Sequence, residues 1–203
     1  MAAASIHPTA LVETQDIGAG TRIWAHVHVM AGVVIGPECN ICDGAFIESG
    51  VRLGRGVTVK TGVSICEGVT VEDGVFIGPS VVFTNDLRPR SPRIPFVHPR
   101  YATMGWLQPT HVGRGATLGA HATLANGINI GEWAFVAAGA VVMADVRPFA
   151  FVLGNPARMY GHVCACAARI EFVEGQSACA ACGRTYRVQN AVVVPDDPPR
   201  LWN

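Results

Sequence analysis

The stretch IGAGTRIWAHVHVMAGVVIGPECNICDGAFIESGVRLGRGVTVKTGVSICEGVTVEDGVFIGPSVVF, residues 17–83, returns an aliphatic residue every six positions. Its heads are Ile17, Ile23, Val29, Ile35, Ile41, Ile47, Leu53, Val59, Ile65, Val71 and Ile77, closed by Phe83. The register resumes at Val112, Leu118, Leu124, Ile130, Val136 and Val142, so 17 of 18 heads are Ile, Leu or Val, a regularity that chance spacing does not give. Four residues after a head comes a small or β-branched residue, as in Thr21, Val27, Val33, Cys39, Ala45 and Val51. A period of six with two inward positions fits neither a helix nor a half-buried strand, so it is a repeat unit. A short strand, a corner and another short strand, repeated, build a coil with flat faces. Three hexads, about 18 residues, close one triangular turn, and stacked turns bury an apolar column that no single repeat can bury. The 18 hexads predict roughly six turns.

Before the repeats, residues 5–16 read as a cap. Ile6 and Val12 are six apart, but Ile17 comes one residue early, so the first turn is irregular, as terminal repeats are. Residues 1–10 hold no basic segment followed by an apolar run, and no stretch approaches 18 uninterrupted apolar residues. Composition agrees with a repetitive β core: 50% of residues are hydrophobic and 23 are Gly. Zero net charge and a pI near 7 argue against nucleic acid or a membrane surface as partner, and a soluble, cytoplasmic protein is expected.

Within the coil, Trp24 is placed outward beside a head, and an exposed aromatic there suggests a subunit contact. His26 and His28 alternate on one strand and point the same way, which makes His28 a candidate base. Cys39, Cys42 and Cys66 fall at hexad positions and read as small reduced core residues.

The coil is then interrupted. The loop 84–111 has no hexad pattern, contains Arg88, Arg90, Arg93 and Arg100 against the single acid Asp86, and carries five Pro. A long aperiodic insertion in a compact domain is usually functional. Arg forks suit phosphate and carboxylate oxygens, and Tyr101 or Trp106 can stack on a flat ring. This loop is the expected substrate-facing part.

After residue 160 the hexads stop. Cys164-Ala165-Cys166 is followed by Cys179-Ala180-Ala181-Cys182-Gly183, two close pairs flanking a strand-like run. That is the layout of a four-thiolate zinc ribbon over residues 161–195, structural because four thiolates leave no open position, with iron or a redox dithiol as the alternatives. Gly183 permits the tight turn of one knuckle, while Ala167 stands where a Gly would help the other. The tail, 196–203, is expected to be poorly ordered.

The run Phe83-Thr84-Asn85-Asp86 with Pro89-Arg90-Ser91, the early Trp24 to Met30, and the late Gly154-Asn155-Pro156-Ala157-Arg158 resemble the hexapeptide-repeat N-acetyltransferases of nucleotide-linked amino sugars. Within these the chain is most similar to the UDP-2-acetamido-3-amino-glucuronate 3-N-acetyltransferases and their dTDP-3-amino-sugar relatives, over about residues 5–160. The resemblance implies a left-handed parallel β-helix, all-β, spanning residues 1–160. It implies acetyl transfer from acetyl-CoA to a sugar amine in a homotrimer, with sites in clefts between adjacent coils. Asn85 matches the family position that holds the amine, and Asp86, Arg88, Arg90 and Arg93 fall to the substrate. Ala138 and Gly139 would border the pantetheine arm, and Asn155, Pro156 and Arg158 the nucleotide end of the coenzyme. Where the family commonly has a Lys in the last corner this chain has Ala144, leaving Arg147 or Arg158 to meet phosphate. A γ-type carbonic anhydrase on the same fold is one alternative; it needs three His converging on one metal across a subunit interface, and His111 and His121 lack the close pairing expected of such a site. A non-catalytic coil whose ribbon recruits a partner is another.

Overall fold

The computed structural model describes residues 2–202. The hexads build three parallel sheets wound into a solenoid. The first sheet stacks Ser5–Ile6, Arg22–Ile23, Asn40–Ile41, Thr58–Val59, Phe76–Ile77, Thr117–Leu118 and Phe135–Val136. The second stacks Leu11–Val12, His28–Val29, Phe46–Ile47, Ser64–Ile65, Val82–Phe83, Thr123–Leu124 and Val141–Val142. The third stacks Val34–Ile35, Arg52–Leu53, Val69–Val71, Thr110–Val112 and Asn129–Ile130, and the bridges Ile17 to Ile35 and Ile130 to Val146 extend it at both ends.

Heads pair with heads, so Ile23 lies against Ile41 and Ile47 against Ile65. Every head from Ile23 to Val142 is buried, and so are the small residues Thr21, Val27, Val33, Cys39, Ala45 and Val51 that open the next strand. Each buried head contributes roughly 1.5–3 kcal/mol of transfer free energy. The coil has seven full rungs rather than six, because residues 5–17 form a first rung and Val146 completes the last, and Ala150–Gly154 adds an eighth parallel strand to the first sheet.

The loop leaves this register untouched. Leu53 pairs with Val71, 18 residues on, whereas Val71 pairs with Val112, 41 on, so 23 residues are inserted between otherwise consecutive rungs. A neck formed by the antiparallel bridge of Asp86 to Leu107 and the Gln108 N–H donating to Asn85 O (3.1 Å) closes the insertion. Two short 3₁₀ turns, His98–Tyr101 and Met104–Trp106, lie inside it.

The expected boundary after residue 160 falls within a strand. The first sheet continues through Ala150–Gly154, turns back antiparallel as Ala157–Val163 and takes up Arg169–Ile170. Hexads stop there, but sheet hydrogen bonding does not. Beyond it, Gln176–Ala178, Thr185–Gln189 and Val192–Pro195 form a small antiparallel sheet. This lobe has its own core of Phe149, Cys164, Ile170, Cys179, Tyr186 and Val193.

The tail packs on the coil as far as Trp202; Asn203 lies outside the described residues. It runs back along the corner between the third and first sheets, where Gly56 and Gly74 hold left-handed backbone at φ 66°. A Cβ at Gly56 would meet the Trp202 ring at 2.4 Å, and one at Gly74 would meet Leu201 at 2.7 Å. Arg55 stacks over the Trp202 ring at 4.5 Å. Two missing side chains thus make the groove that receives the tail. No helix among the described residues is long and apolar enough to cross a membrane.

Candidate active site

Asn85 follows the Val82–Phe83 strand at the corner between the second and third sheets, where the loop departs. The Thr84 N–H still donates to Leu124 O (3.0 Å), so the coil fixes the backbone directly before Asn85. Its carboxamide Nδ2 donates to Glu67 O one rung below, at 3.4 Å. With Nδ2 so engaged, Oδ1 is left free and accepts no hydrogen bond among the described residues. An anchored amide with a free acceptor oxygen suits an N–H donor on a ligand.

Asp86 is committed elsewhere. Its carboxylate accepts from both guanidinium nitrogens of Arg100, from the Tyr101 hydroxyl (2.8 Å) and from the Arg88 N–H (2.8 Å). The Arg100 guanidinium holds the Asp86 carboxyl well below the usual range, at about 2. Asp86 therefore braces the loop from within, whereas the resemblance had assigned it to substrate. Arg88, Arg90 and Arg93 are exposed and form no ion pair among the described residues. A cavity of about 390 Å³ lined by Leu87, Arg88, Arg100, Gly105, Trp106 and Gln108 opens beside this brace.

Two rungs above Asn85 on the same corner, about 10 Å along the coil, a second cavity of about 410 Å³ lies between residues 142–147 and the returning hairpin. Ala144, Arg147, Ala157 and Arg158 line it. The two cations named as stand-ins for a corner Lys thus share one cavity with the Ala that replaced it. Asn155 and Pro156 are exposed in the hairpin turn, joined by a cis peptide bond. Ala138 and Gly139 sit at a different corner, between the first and second sheets, and a Cβ on Gly139 would meet nothing within 4 Å.

His28 is not brought to Asn85. It lies on the second sheet at the Leu11, Phe46 and Ser64 register, three strands from Val82 and so about 14 Å below it. Its Nε2 meets Glu13 Oε1 at 2.7 Å and its ring leans on Phe46. That hydrogen bond lowers the Glu13 pKa. His111 pairs with Glu72 at 3.1 Å, and His121 stands in a corner with φ 58°. Among the described residues no His joins a converging ligand cluster within one chain. Trp24 is half-exposed, its indole N–H donating to Asn40 Oδ1 (2.8 Å). Cys39 and Cys66 are buried, and burial pushes their thiols up to about 11 and about 12, as inert core residues require.

The four lobe cysteines do converge. All four Sγ atoms lie within 4.8 Å of one another, with Cys164 to Cys182 at 3.4 Å and Cys166 to Cys179 at 3.6 Å. These are non-bonded separations, close to the roughly 3.8 Å between sulfurs of a tetrahedral S₄ zinc shell with bonds of about 2.3 Å. Both knuckles fold as tight turns: the Gly183 N–H donates to Cys179 O and the Ala167 N–H to Cys164 O, each at 2.8 Å. Ala167 reaches φ 69° without being Gly. The backbone N–H of Arg184 lowers the Cys182 pKa. The donor set fits zinc.

Two family profiles match the coil: bacterial transferase hexapeptide over residues 16–49, and hexapeptide repeat of succinyl-transferase over residues 44–79 and 109–144. The chain belongs to the hexapeptide-repeat acyltransferases. It is 46% identical over 188 residues, 93% of both chains, to the dTDP-3-amino-3,6-dideoxy-alpha-D-galactopyranose 3-N-acetyltransferase of Aneurinibacillus thermoaerophilus. A match of that length extends past residue 160, so the relative shares part of the lobe as well as the coil. Among solved structures, a hexapeptide-repeat acetyltransferase of Vibrio cholerae complexed with acetyl coenzyme A superposes with a TM-score of 0.51 and 25% identity, covering 62% of this chain and 68% of that one. The UDP-N-acetylglucosamine acyltransferase of Campylobacter jejuni shares the fold, with a TM-score of 0.53 and 16% identity, covering 79% and 73%.

Proposed function

We propose that the protein is an acetyl-CoA-dependent N-acetyltransferase acting on the 3-amine of a nucleotide-linked sugar, with a dTDP-linked 3-amino-6-deoxyhexose as the favoured acceptor. The 46% identity over 93% of the chain to an enzyme of that name carries this reading.

The active unit is a homotrimer. The outward side of the second sheet is its most apolar face, with Leu11, Phe46, Val82 and Val141 in one register column and Leu11 56% exposed. Facing a threefold axis with that sheet sets the Ala138-Gly139 corner of one copy against the Asn85 corner of the next. Each cleft then takes Asn85 and the Arg147–Arg158 cavity from one copy and the Ala138-Gly139 corner from the next.

In that cleft Asn85 Oδ1 accepts a hydrogen bond from the neutral sugar amine and aims its lone pair at the thioester carbonyl. The C–N bond forms, the C–S bond breaks, and the amine proton passes to the departing CoA thiolate. A weakly basic sugar amine needs orientation more than a strong base. Arg88, Arg90 and Arg93 meet the diphosphate of the sugar nucleotide. Arg147 and Arg158, with Asn155 and Pro156, hold the nucleotide end of the coenzyme. Zinc at Cys164, Cys166, Cys179 and Cys182 is structural and stabilises a lobe too small to fold on its own core.

Release of CoA thiol from acetyl-CoA, measured with dTDP- and UDP-linked 3-amino and 4-amino sugars, tests the assignment. Turnover with a 3-amino acceptor is expected. Thiol release confined to 4-amino acceptors, or none with any amine, would overturn it.

A further inference from the structure

The four-cysteine cluster sits at the far end of the same hairpin that walls the cavity of Arg147 and Arg158. Cys164 directly follows Val163, the last residue of the Ala157–Val163 strand, and the first residues of that strand, Ala157 and Arg158, line the cavity. The partner strand, Ala150–Gly154, contributes Ala150 and Val152 to the same wall. Directly before it stands Phe149, 1% exposed, whose carbonyl accepts from the Val163 N–H at 2.9 Å.

Tyr186 ties these two strand ends together. It is 1% exposed, and its ring meets Phe149 edge-on at 5.3 Å. Its hydroxyl oxygen accepts from the Ala165 N–H at 3.0 Å, which leaves its proton free for Cys164 Sγ, also at 3.0 Å. A phenol donating to a thiolate fixes that ligand's orientation and stabilises its charged form. One side chain thus bridges a metal ligand at the end of one hairpin strand and the aromatic anchor at the start of the other.

We infer that the metal in the four-cysteine site, acting through Tyr186, holds the hairpin in the position that binds the coenzyme, so that metal loading sets affinity for CoA and not for the sugar nucleotide. Tyr186 is a positioning residue, and the lobe is a built-in brace for the coenzyme side of the cleft. Asn85 itself, two rungs below that cavity, lies outside its influence because the coil fixes it through Leu124 and Glu67 instead. This inference rests on the acyltransferase reading and on zinc as the bound metal.

The test compares the wild type, Cys182→Ser and Tyr186→Phe for zinc content, for CoA affinity by calorimetry and for dTDP affinity. Cys182 is an exposed ligand, and Phe at 186 keeps the ring against Phe149, so both variants spare the packing. The wild type is expected to carry zinc. Cys182→Ser should lose it and bind CoA at least about tenfold more weakly, with dTDP affinity unchanged. Tyr186→Phe should release zinc to a chelator about 10-fold or more faster and weaken CoA in step. A wild type without zinc would overturn the metal reading, and one that binds no CoA would overturn the acyltransferase reading. Zinc-loaded wild type with unaltered CoA affinity in Cys182→Ser, or unaltered zinc release in Tyr186→Phe, would overturn the coupling. Equal loss of CoA and dTDP binding would also overturn it, because the lobe would then support the whole coil.

Discussion

Arg100 reaches back across the loop to hold both carboxylate oxygens of Asp86, and Tyr101 donates to the same carboxylate at 2.8 Å. The loop is therefore closed by its own charges, and Asp86→Asn should open it. Losing that bidentate, charge-assisted contact loosens the loop, so KM for the sugar nucleotide should rise several-fold, with KM for acetyl-CoA unchanged. Initial-rate kinetics in both substrates check this.

The same brace has a pH window. The Asp86 pKa is lowered from 3.8 to about 2 by Arg100, so its stabilisation is complete above about pH 4 and is lost as pH falls from about 4 to about 2. Tryptic cleavage at Arg90 and Arg93 at neutral pH, after brief exposure to graded acid in the presence of a trapping crosslinker, should report opening only within that window. Asp86→Asn should be cleaved readily at neutral pH without acid treatment.

Asn85→Ala removes the amine acceptor while leaving the coil intact, and kcat should fall by about 100-fold. His28→Ala should leave kcat unchanged, since that ring is engaged by Glu13 and Phe46 three strands away. Steady-state rates of the two variants, measured side by side, decide which residue serves the chemistry. A large loss in His28→Ala would reverse the assignment.

Deleting residues 201–203 strips Leu201 and Trp202 from the Gly74 and Gly56 groove. Lost apolar burial and the Arg55 stacking contact are together worth about 1–2 kcal/mol. Thermal unfolding should shift down by about 2–8 °C for a chain of this size. Activity at 25 °C should be retained, because the groove lies on the corner opposite the second sheet.

The periodic part of the fold was legible because each head answers to the same constraint, an interior position repeated every six residues. Ile23 through Val142 need no knowledge of distant residues to be placed. The cysteine pairs were legible for a similar reason, since ligand spacing is local. The Asp86 brace was not legible because its partner Arg100 lies 14 residues away in an aperiodic segment, where no period marks which charges will meet. The docked tail was illegible for a related reason. Its groove consists of side chains absent at Gly56 and Gly74, more than 120 residues earlier in the chain. The lobe boundary was set too sharply at 160 because hydrogen bonding of the first sheet outlasts the hexad pattern. His28 looked catalytic from its strand neighbours alone, and only the stacking order shows how far it is from the loop.

The central claim is that each active site takes Asn85 from one copy and the Ala138-Gly139 corner from the next, and mixed trimers test it most directly. Gly139→Trp projects into open space at a left-handed position, φ 69°, a conformation that Trp133 adopts at another corner, so it should fill the cleft without unfolding the coil. Asn85→Ala and Gly139→Trp should each be nearly inactive as homotrimers. Refolded together in equal amounts, with subunit mixing verified by two affinity tags, they should recover about a quarter of wild-type activity, because each mixed trimer contains one cleft with both native contributions. If verified mixed trimers show no recovery, the site lies within a single chain and the account is wrong.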